Sequence, residues 1–339
     1  MIIPEFLKEN DTIAVTAPSD GNKKPIDYVR LEKAMLNMKK HGLNVIETPD
    51  VRTSVMGRSA DKEVRAKELM EVWQNRSVNA IISAKGGDFL MEMLPYVDFD
   101  MIKNNPKWFQ GFSDNTGLTF LITTICDIAS VYTSNFNDFA MSKWHTALEN
   151  NLSLLMGNDV VQKSFDMYQD GFIDYETGDE AYSKDKPVRW NIARGSENVD
   201  IEGRFIGGCL DVLLNLCGTR FDKVSDYINK YKNDGSIWYL ESFSLGSEDI
   251  ERGLWQLKEA GWFDNAKGFV FGRPAFFSSF TDTSFDEAVL NALKDFNVPI
   301  ITEACIGHKP PQFTMLNGCM GRLMCSDGKG NIQFNTFCR

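Results

Sequence analysis

Histidine is scarce in this chain, and its cysteines lack the spacing of a metal site. The 339 residues include seven scattered cysteines and only three histidines, His41, His145 and His308. No Cys-x-x-Cys or His-x-x-x-His pair occurs, although zinc sites usually draw their ligands from such closely spaced pairs. We therefore expect no metal, and we expect cysteines that stay reduced and are mostly buried as small apolar side chains.

Long apolar runs, basic blocks and phosphate-binding loops are missing as well. Apolar runs such as 80–82 and 268–271 are too short to span a bilayer, so no membrane partner is expected. The first ten residues lack the pattern of a secretory signal, which favours a cytoplasmic protein. The 36 Lys and Arg against 47 Asp and Glu give a net charge of −11, which argues against nucleic acid as the partner. Neither Gly-x-Gly-x-x-Gly nor Gly-x-x-x-x-Gly-Lys-Ser/Thr occurs, and no cofactor is expected.

What remains is the composition of a globular protein, with 43% apolar and 24% charged residues and a length typical of two domains. Residues 1–150 alternate between strand and helix patterns, with strands predicted at 12–17, 78–83 and 108–112. Such alternation predicts an α/β domain with a parallel sheet. Residues 151–198 are polar and rich in turn formers, and we interpret them as a connecting excursion near the active site. Residues 199–339 form a second domain that ends in short antiparallel strands, with Ser247 expected to cap one of its helices.

The segment Gly111-Phe112-Ser113-Asp114-Asn115 leads a predicted strand directly into a predicted helix. A nucleophile elbow has this shape, because a strained turn presents the hydroxyl and the start of the helix offers backbone donors to an oxyanion. The alternative is that Ser113 or Asp114 only caps the helix. Taken alone, the segment favours the cap.

Lys85-Gly86-Gly87-Asp88 follows the preceding strand, and in a parallel sheet it lies at the same edge as Ser113. Glycine allows a backbone to approach a substrate closely and to supply an N–H group. The alternative is an ordinary tight turn.

A serine nucleophile needs a base and a carboxylate that orients it. His308 lies in a loop directly after a strand, whereas His41 and His145 lie in helical patterns. Glu241 ends the apolar strand 237–240, an unusual place for a carboxylate unless it is paired. The alternatives are a surface glutamate and an ordinary loop histidine.

These motifs, in this order, resemble those of the LD-carboxypeptidase and microcin-immunity serine peptidases over nearly the whole chain. The motifs that carry the resemblance are Ala17-Pro18-Ser19, Gly86-Gly87, 111–114, 203–210, Leu240-Glu241, 252–257, Gly272, Gly307-His308 and Pro311. The resemblance implies a Rossmann-like N-terminal domain that carries Ser113 and a smaller, largely β C-terminal domain that carries Glu241 and His308, with the site between them. It further implies an oxyanion hole made by the N–H groups of Gly87 and Asp114, substrate approach at Gly86, no cofactor and a homodimer.

Three segments depart from the family pattern: Asp88-Phe89 after the glycine pair, Cys209 in place of an asparagine, and Tyr132-Thr133-Ser134-Asn135. None removes a member of the triad, but all concern loops that line the family's pocket.

Two substrates are possible within the family, a murein tetrapeptide and a peptidyl or aminoacyl nucleotide. We favour the nucleotide, the microcin-immunity type, because the polar excursion lengthens this chain and Trp190 within it could stack on a base. The alternative for Trp190 is an anchor that fastens the excursion to the core. A solute-binding protein without chemistry is a further alternative, which would have no use for the serine, histidine and glutamate.

Overall fold

The computed structural model describes residues 1–335, and of the seven cysteines Cys338 lies outside them. The chain divides into two compact units. The first unit comprises residues 1–158 and 173–181, and the second comprises 159–172 and the residues from 182 onward. The second unit is therefore about as long as the first rather than smaller. Within residues 1–335, every helix is too short or too polar to cross a bilayer.

The first unit alternates between strands and helices along the chain. Its strands are β1 (Thr12–Thr16), β2 (Asn44–Glu47), β3 (Ala80–Ser83), β4 (Trp108–Gly111) and β5 (Ser130–Tyr132). Its helices are α1 (Pro25–Lys40), α2 (Lys62–Gln74), α3 (Phe99–Asn104), α4 (Thr116–Cys126) and α5 (Thr146–Leu155).

All five of these strands run parallel, in the order β5-β4-β3-β1-β2, which confirms the predicted parallel sheet. Every residue of β3 and β4 is buried, as expected of strands covered on both faces. Since β3 and β4 are neighbours, the turn at Gly86-Gly87 and the corner at Ser113 emerge at the same edge of the sheet.

The second unit is built on an eight-stranded mixed sheet with the order β6-β16-β15-β10-β11-β12-β13-β9. Its strands are β6 (Val161–Lys163), β7 (Met167–Tyr168), β8 (Lys186–Pro187), β9 (Asn191–Arg194), β10 (Asn198–Cys209), β11 (Ser236–Glu241), β12 (Ala266–Gly272), β13 (Ile300–Ala304), β14 (Met315–Asn317), β15 (Met320–Ser326) and β16 (Lys329–Phe334). Its helices are α6 (Leu210–Leu216), α7 (Val224–Lys230), α8 (Ser247–Glu259) and α9 (Phe285–Ala292).

The four central strands, β10 to β13, are parallel, and the strands that flank them are antiparallel. The expected β-rich domain is thus confirmed, with a parallel centre that the sequence analysis did not specify. Parallel strands bring the ends of β11 and β13 to one edge, where Glu241 is the last residue of β11 and the loop of His308 follows β13. The prediction for Ser247 was wrong by one residue, because Gly246 is the N-cap of α8 and Ser247 is its first helical residue.

The polar excursion at 151–198 is divided between the two units and contains the strands β6 to β9. Its middle part, 173–181, packs on α1 of the first unit. There the guanidinium of Arg30 lies 3.7 Å from the ring centroid of Tyr175, and Lys33 forms an ion pair with Asp179 at 3.0 Å. This part of the excursion is an ordered element of the first unit.

We expect Gly207→Ala to destabilise the protein by about 3 kcal/mol or more, the range of strong overpacking. A Cβ at Gly207 would lie 1.7 Å from the carbonyl oxygen of Tyr239, a backbone atom of the neighbouring strand β11 that cannot move aside. Gly218→Ala is the matched control, because Gly218 has a φ of +77° and open space around its added Cβ. The control should lose only about 1–2 kcal/mol, the cost of a left-handed backbone. Urea unfolding measures both losses, and equal losses would contradict the prediction.

Candidate active site

Ser113 lies at a sharp corner between β4 and α4. Its φ is +64°, which is uncommon for a residue with a side chain and is typical of strained functional positions. The N-cap of α4 is Asn115, so the capping alternative for Ser113 and Asp114 is wrong. Gly111 is needed two residues before the serine, because an added Cβ would lie 2.8 Å from the Cβ of Asn115. The backbone therefore has the shape that the nucleophile interpretation requires.

The segment after β5 supports this corner from the neighbouring strand. The side-chain oxygen of Asn135 accepts hydrogen bonds from the backbone N–H of Phe112 at 3.2 Å and from the amide of Asn115 at 3.1 Å. The hydroxyl of Tyr132 accepts from the N–H of Ser113 at 3.4 Å. The segment 132–135, which departs from the family pattern, thus holds the serine in place.

The glycine pair lies directly beside the serine. A Cβ added to Gly86 would lie 3.0 Å from the Cβ of Ser113 and 3.2 Å from its Oγ. A Cβ added to Gly87 would lie 2.3 Å from the Oγ of Ser19. Glycine is thus required at both positions for close approach, and the backbone of this turn lies next to the hydroxyl.

The side chain of Asp114 is used to hold this arrangement together. One of its carboxylate oxygens accepts from the hydroxyl of Ser19 at 2.5 Å and from the N–H of Leu90 at 2.8 Å. Burial raises the pKa of Asp114 above its ordinary value, although these two hydrogen bonds oppose the shift. The predicted role of Asp114 in an oxyanion hole belongs to its backbone N–H group and not to this carboxylate.

In the second unit, His308 and Glu241 form a buried pair. The Nδ1 of His308 lies 2.8 Å from the Oε2 of Glu241, and the two residues are 7% and 1% exposed. The alternative of a surface glutamate is therefore wrong. When the carboxylate is ionised, Nδ1 carries the proton and Nε2 is the basic nitrogen, as a general base requires.

The other two histidines have structural positions. His41 is the C-cap of α1, with Nδ1 at 2.8 Å from the carbonyl oxygen of Asn37, and its ring stacks on Trp144 at 3.9 Å. His145 is the N-cap of α5, where its Nδ1 accepts from the N–H of Ala147. Both occupy helix ends, in agreement with the helical patterns around them.

Trp190, which we expected to stack on a substrate base, is 2% exposed. Its indole N–H donates to the Sγ of Cys305 at 3.4 Å, and its ring lies 5.7 Å from that of Phe313. A Cβ at Gly330 would approach the indole to 2.1 Å, so one face of the ring lies against the backbone of β16. The expectation of stacking is corrected: Trp190 is the core anchor that the alternative described.

Sequence analysis missed an aromatic cluster beside His308, formed by Phe172, Phe243 and Phe276. The ring of Phe243 lies 4.7 Å from the imidazole of His308. Phe276 lies 5.2 Å from Phe243, and Phe172 stacks on Phe276 at 5.8 Å. Phe172 and Phe276 are 64% and 56% exposed. The regular spacing of apolar residues along a helix or strand cannot reveal such a cluster, because its members come from three separate loops.

Known protein families match both halves of the chain. Residues 13–133 match the model described as the LD-carboxypeptidase N-terminal domain, and residues 202–323 match the LD-carboxypeptidase C-terminal domain.

Individual relatives include a protein named for murein peptides and a microcin self-immunity protein. A Bacillus subtilis protein named "Probable murein peptide carboxypeptidase" is 26% identical over 79% of this chain and 73% of its own length. The microcin C7 self-immunity protein of Escherichia coli is 26% identical over 76% of this chain and 74% of its own. A structure of the microcin C7 self-immunity protein in complex with aspartyl sulfamoyl adenosine superimposes with a TM-score of 0.80 at 20% identity and covers 99% of each chain. At 20% identity, this structural similarity shows that the two proteins share a fold.

We expect Trp190→Ala to lower the free energy of unfolding by about 3–5 kcal/mol, the usual loss for a buried aromatic side chain. Trp255→Ala is the matched control, since Trp255 is 57% exposed and its loss should change stability by only about 0.5 kcal/mol. Urea unfolding gives both values. If Trp190→Ala had the same free energy of unfolding as the wild type, the assignment of Trp190 as a core anchor would be wrong.

Proposed function

The chain belongs to the LD-carboxypeptidase family and is a peptidase, and on that premise we propose that it hydrolyses an amide bond with Ser113 as nucleophile, His308 as base and Glu241 as the carboxylate that orients the base. The observation that carries this proposal is the buried hydrogen bond between His308 and Glu241. A buried carboxylate is costly unless it is bonded, and here its partner is the one histidine that does not occupy a helix end. The strained corner at Ser113 supports the same roles.

In this mechanism the Oγ of Ser113 attacks the substrate carbonyl while His308 takes the hydroxyl proton. Glu241 keeps the imidazole in the required tautomer and stabilises its cation. The N–H groups of Gly87 and Asp114 receive the oxyanion, and the loss of one such donor generally lowers the rate about 10²- to 10³-fold. His308 then returns the proton to the leaving amine, and water hydrolyses the acyl-enzyme.

For the substrate we propose a peptidyl or aminoacyl nucleotide, as in microcin self-immunity. With Trp190 buried, support for this choice comes from Phe172 and Phe276, two exposed aromatic side chains that Phe243 connects to His308. A nucleobase stacks on such faces, whereas a murein tetrapeptide has no aromatic group to use them. The murein tetrapeptide is the second candidate, because a relative with that name matches at the same identity as the self-immunity protein. The homodimer and the cytoplasmic location stay predictions of the sequence.

Ser113→Ala should abolish hydrolysis and leave the protein folded, because alanine removes only the nucleophilic oxygen. Residual activity would come from the oxyanion donors and from binding. Ser142→Ala, at an exposed serine of the same unit, is the control and should keep full activity. Turnover of aminoacyl-sulfamoyl adenosine and of murein tetrapeptide is followed by mass spectrometry, with thermal melting alongside. Wild-type turnover by Ser113→Ala would exclude the serine mechanism.

Phe172→Ala should raise KM for aminoacyl-sulfamoyl adenosine by about 5- to 150-fold, because base stacking contributes about 1–3 kcal/mol. The same variant should leave KM for a murein tetrapeptide unchanged. The control is Phe280→Ala, since Phe280 is 94% exposed and lies outside the cluster. Equal changes on both substrates would remove the support for the nucleotide and favour the murein peptide.

A further inference from the structure

The corner between β10 and α6 lies directly against Glu241. Cys209, the last residue of β10, is paired in register with Glu241, the last residue of the parallel strand β11. Cys209 is 2% exposed, and its thiol donates a hydrogen bond to the Asp211 carboxylate. Burial, together with the negative charges of Glu241 and Asp211, raises the pKa of the Cys209 thiol well above its ordinary value. The thiol therefore keeps its proton.

Two residues further on, Asp211 binds the segment that follows Glu241. One oxygen of the Asp211 carboxylate accepts from the N–H and the hydroxyl of Ser244, each at 2.9 Å. The other accepts from the N–H of Phe243 at 3.0 Å, and the Sγ of Cys209 lies 3.6 Å from it. Hydrogen bonds to a charged acceptor are stronger than neutral ones. Asp211 thus fixes the backbone at the exit of β11.

The segment fixed by Asp211 carries the ring that contacts the base. Phe243 packs on His308 with a centroid distance of 4.7 Å and an interplanar angle of 47°. The imidazole is therefore held at Nδ1 by Glu241 and on one face by Phe243. Both of these supports lead back to the corner at 209–211, because Glu241 pairs in register with Cys209 and the Asp211 carboxylate binds the segment of Phe243.

We propose that Asp211 is a positioning residue, which holds the Glu241–His308 pair in its reactive geometry through Cys209 and Phe243. This role rests on the proposed serine mechanism. It explains why a carboxylate at the start of a short helix accepts bonds from a strand exit that lies 32 residues further along the chain. In general, misplacing a catalytic group by about 1 Å can lower the rate about 100-fold.

The test uses a fluorophosphonate, which reports on the nucleophile and the base without knowledge of the natural substrate. The Oγ–P bond to Ser113 forms, the P–F bond breaks, fluoride leaves and His308 takes the hydroxyl proton. Mass spectrometry of the intact protein and of its peptides gives the site of labelling. The dependence of the rate on reagent concentration separates kinact, the rate of the chemical step, from KI, the affinity.

We expect Asp211→Asn to lower kinact by about 10- to 100-fold with KI unchanged. Asp222→Asn is the matched control. Asp222 is also half-buried and accepts from the N–H groups of Gly218 and Val224 and from the indole of Trp262, with no bond to the exit of β11. Its loss should lower the melting temperature about as much as that of Asp211 while leaving kinact within about twofold of wild type.

The outcomes separate the two proposals. Wild-type protein that reacts slowly, or at a residue other than Ser113, would overturn the serine mechanism and with it the role of Asp211. Wild-type protein that reacts at Ser113 together with an equally fast Asp211→Asn variant would overturn the role of Asp211 alone. If Asp211→Asn does not fold, Cys209→Ala and Cys209→Ser decide. The serine keeps a donor to Asp211, so only the alanine should slow kinact, and equal rates for the two would overturn the inference.

Discussion

The hydrogen bond between His308 and Glu241 is the interaction around which the second unit is arranged. A carboxylate that is 1% exposed loses its hydration, and only bonded partners can offset that loss. Two glycines close to Glu241 leave the space that this contact needs. A Cβ at Gly307 would lie 2.4 Å from the Oε2 of Glu241, and one at Gly272 would lie 3.0 Å from its Cβ. Gly307 is thus explained by the space that the buried carboxylate needs, and Gly272 by the close approach of both Glu241 and the carbonyl oxygen of Ile306 at 2.2 Å.

In the first unit, the surrounding residues constrain the backbone of Ser113 in a similar way. A left-handed backbone at a residue with a side chain persists only when the surroundings determine it strongly. Here Gly86 and Gly111 leave room, and Asn115 and Asn135 supply the hydrogen bonds. The motifs at Gly86-Gly87 and 111–114, each weak by itself, lie together at this corner. This is why the ordered set of motifs is more specific than any single member.

The departures from the family pattern lie in supporting positions. Cys209, where the family pattern has an asparagine, ends β10 beside Glu241 and keeps its thiol proton because burial raises its pKa. The segment 132–135 differs in sequence but still provides acceptors to the N–H groups of Phe112 and Ser113.

The sequence by itself determined the alternation of strands and helices in the first unit and the corner at Ser113. These features follow from local periodicity and from residue types that few positions tolerate, so they can be recognised over short stretches. Glu241 and His308 became candidates through the resemblance of the ordered motifs to a known family. Only the tertiary structure decided that Trp190 is buried while Phe172 is exposed, that residues 173–181 belong to the first unit, and that Asp211 supports the exit of β11. The bond between Glu241 and His308 joins residues 67 positions apart. Burial and pairing at such separations depend on which strands become neighbours in the sheet, and no local pattern contains that information.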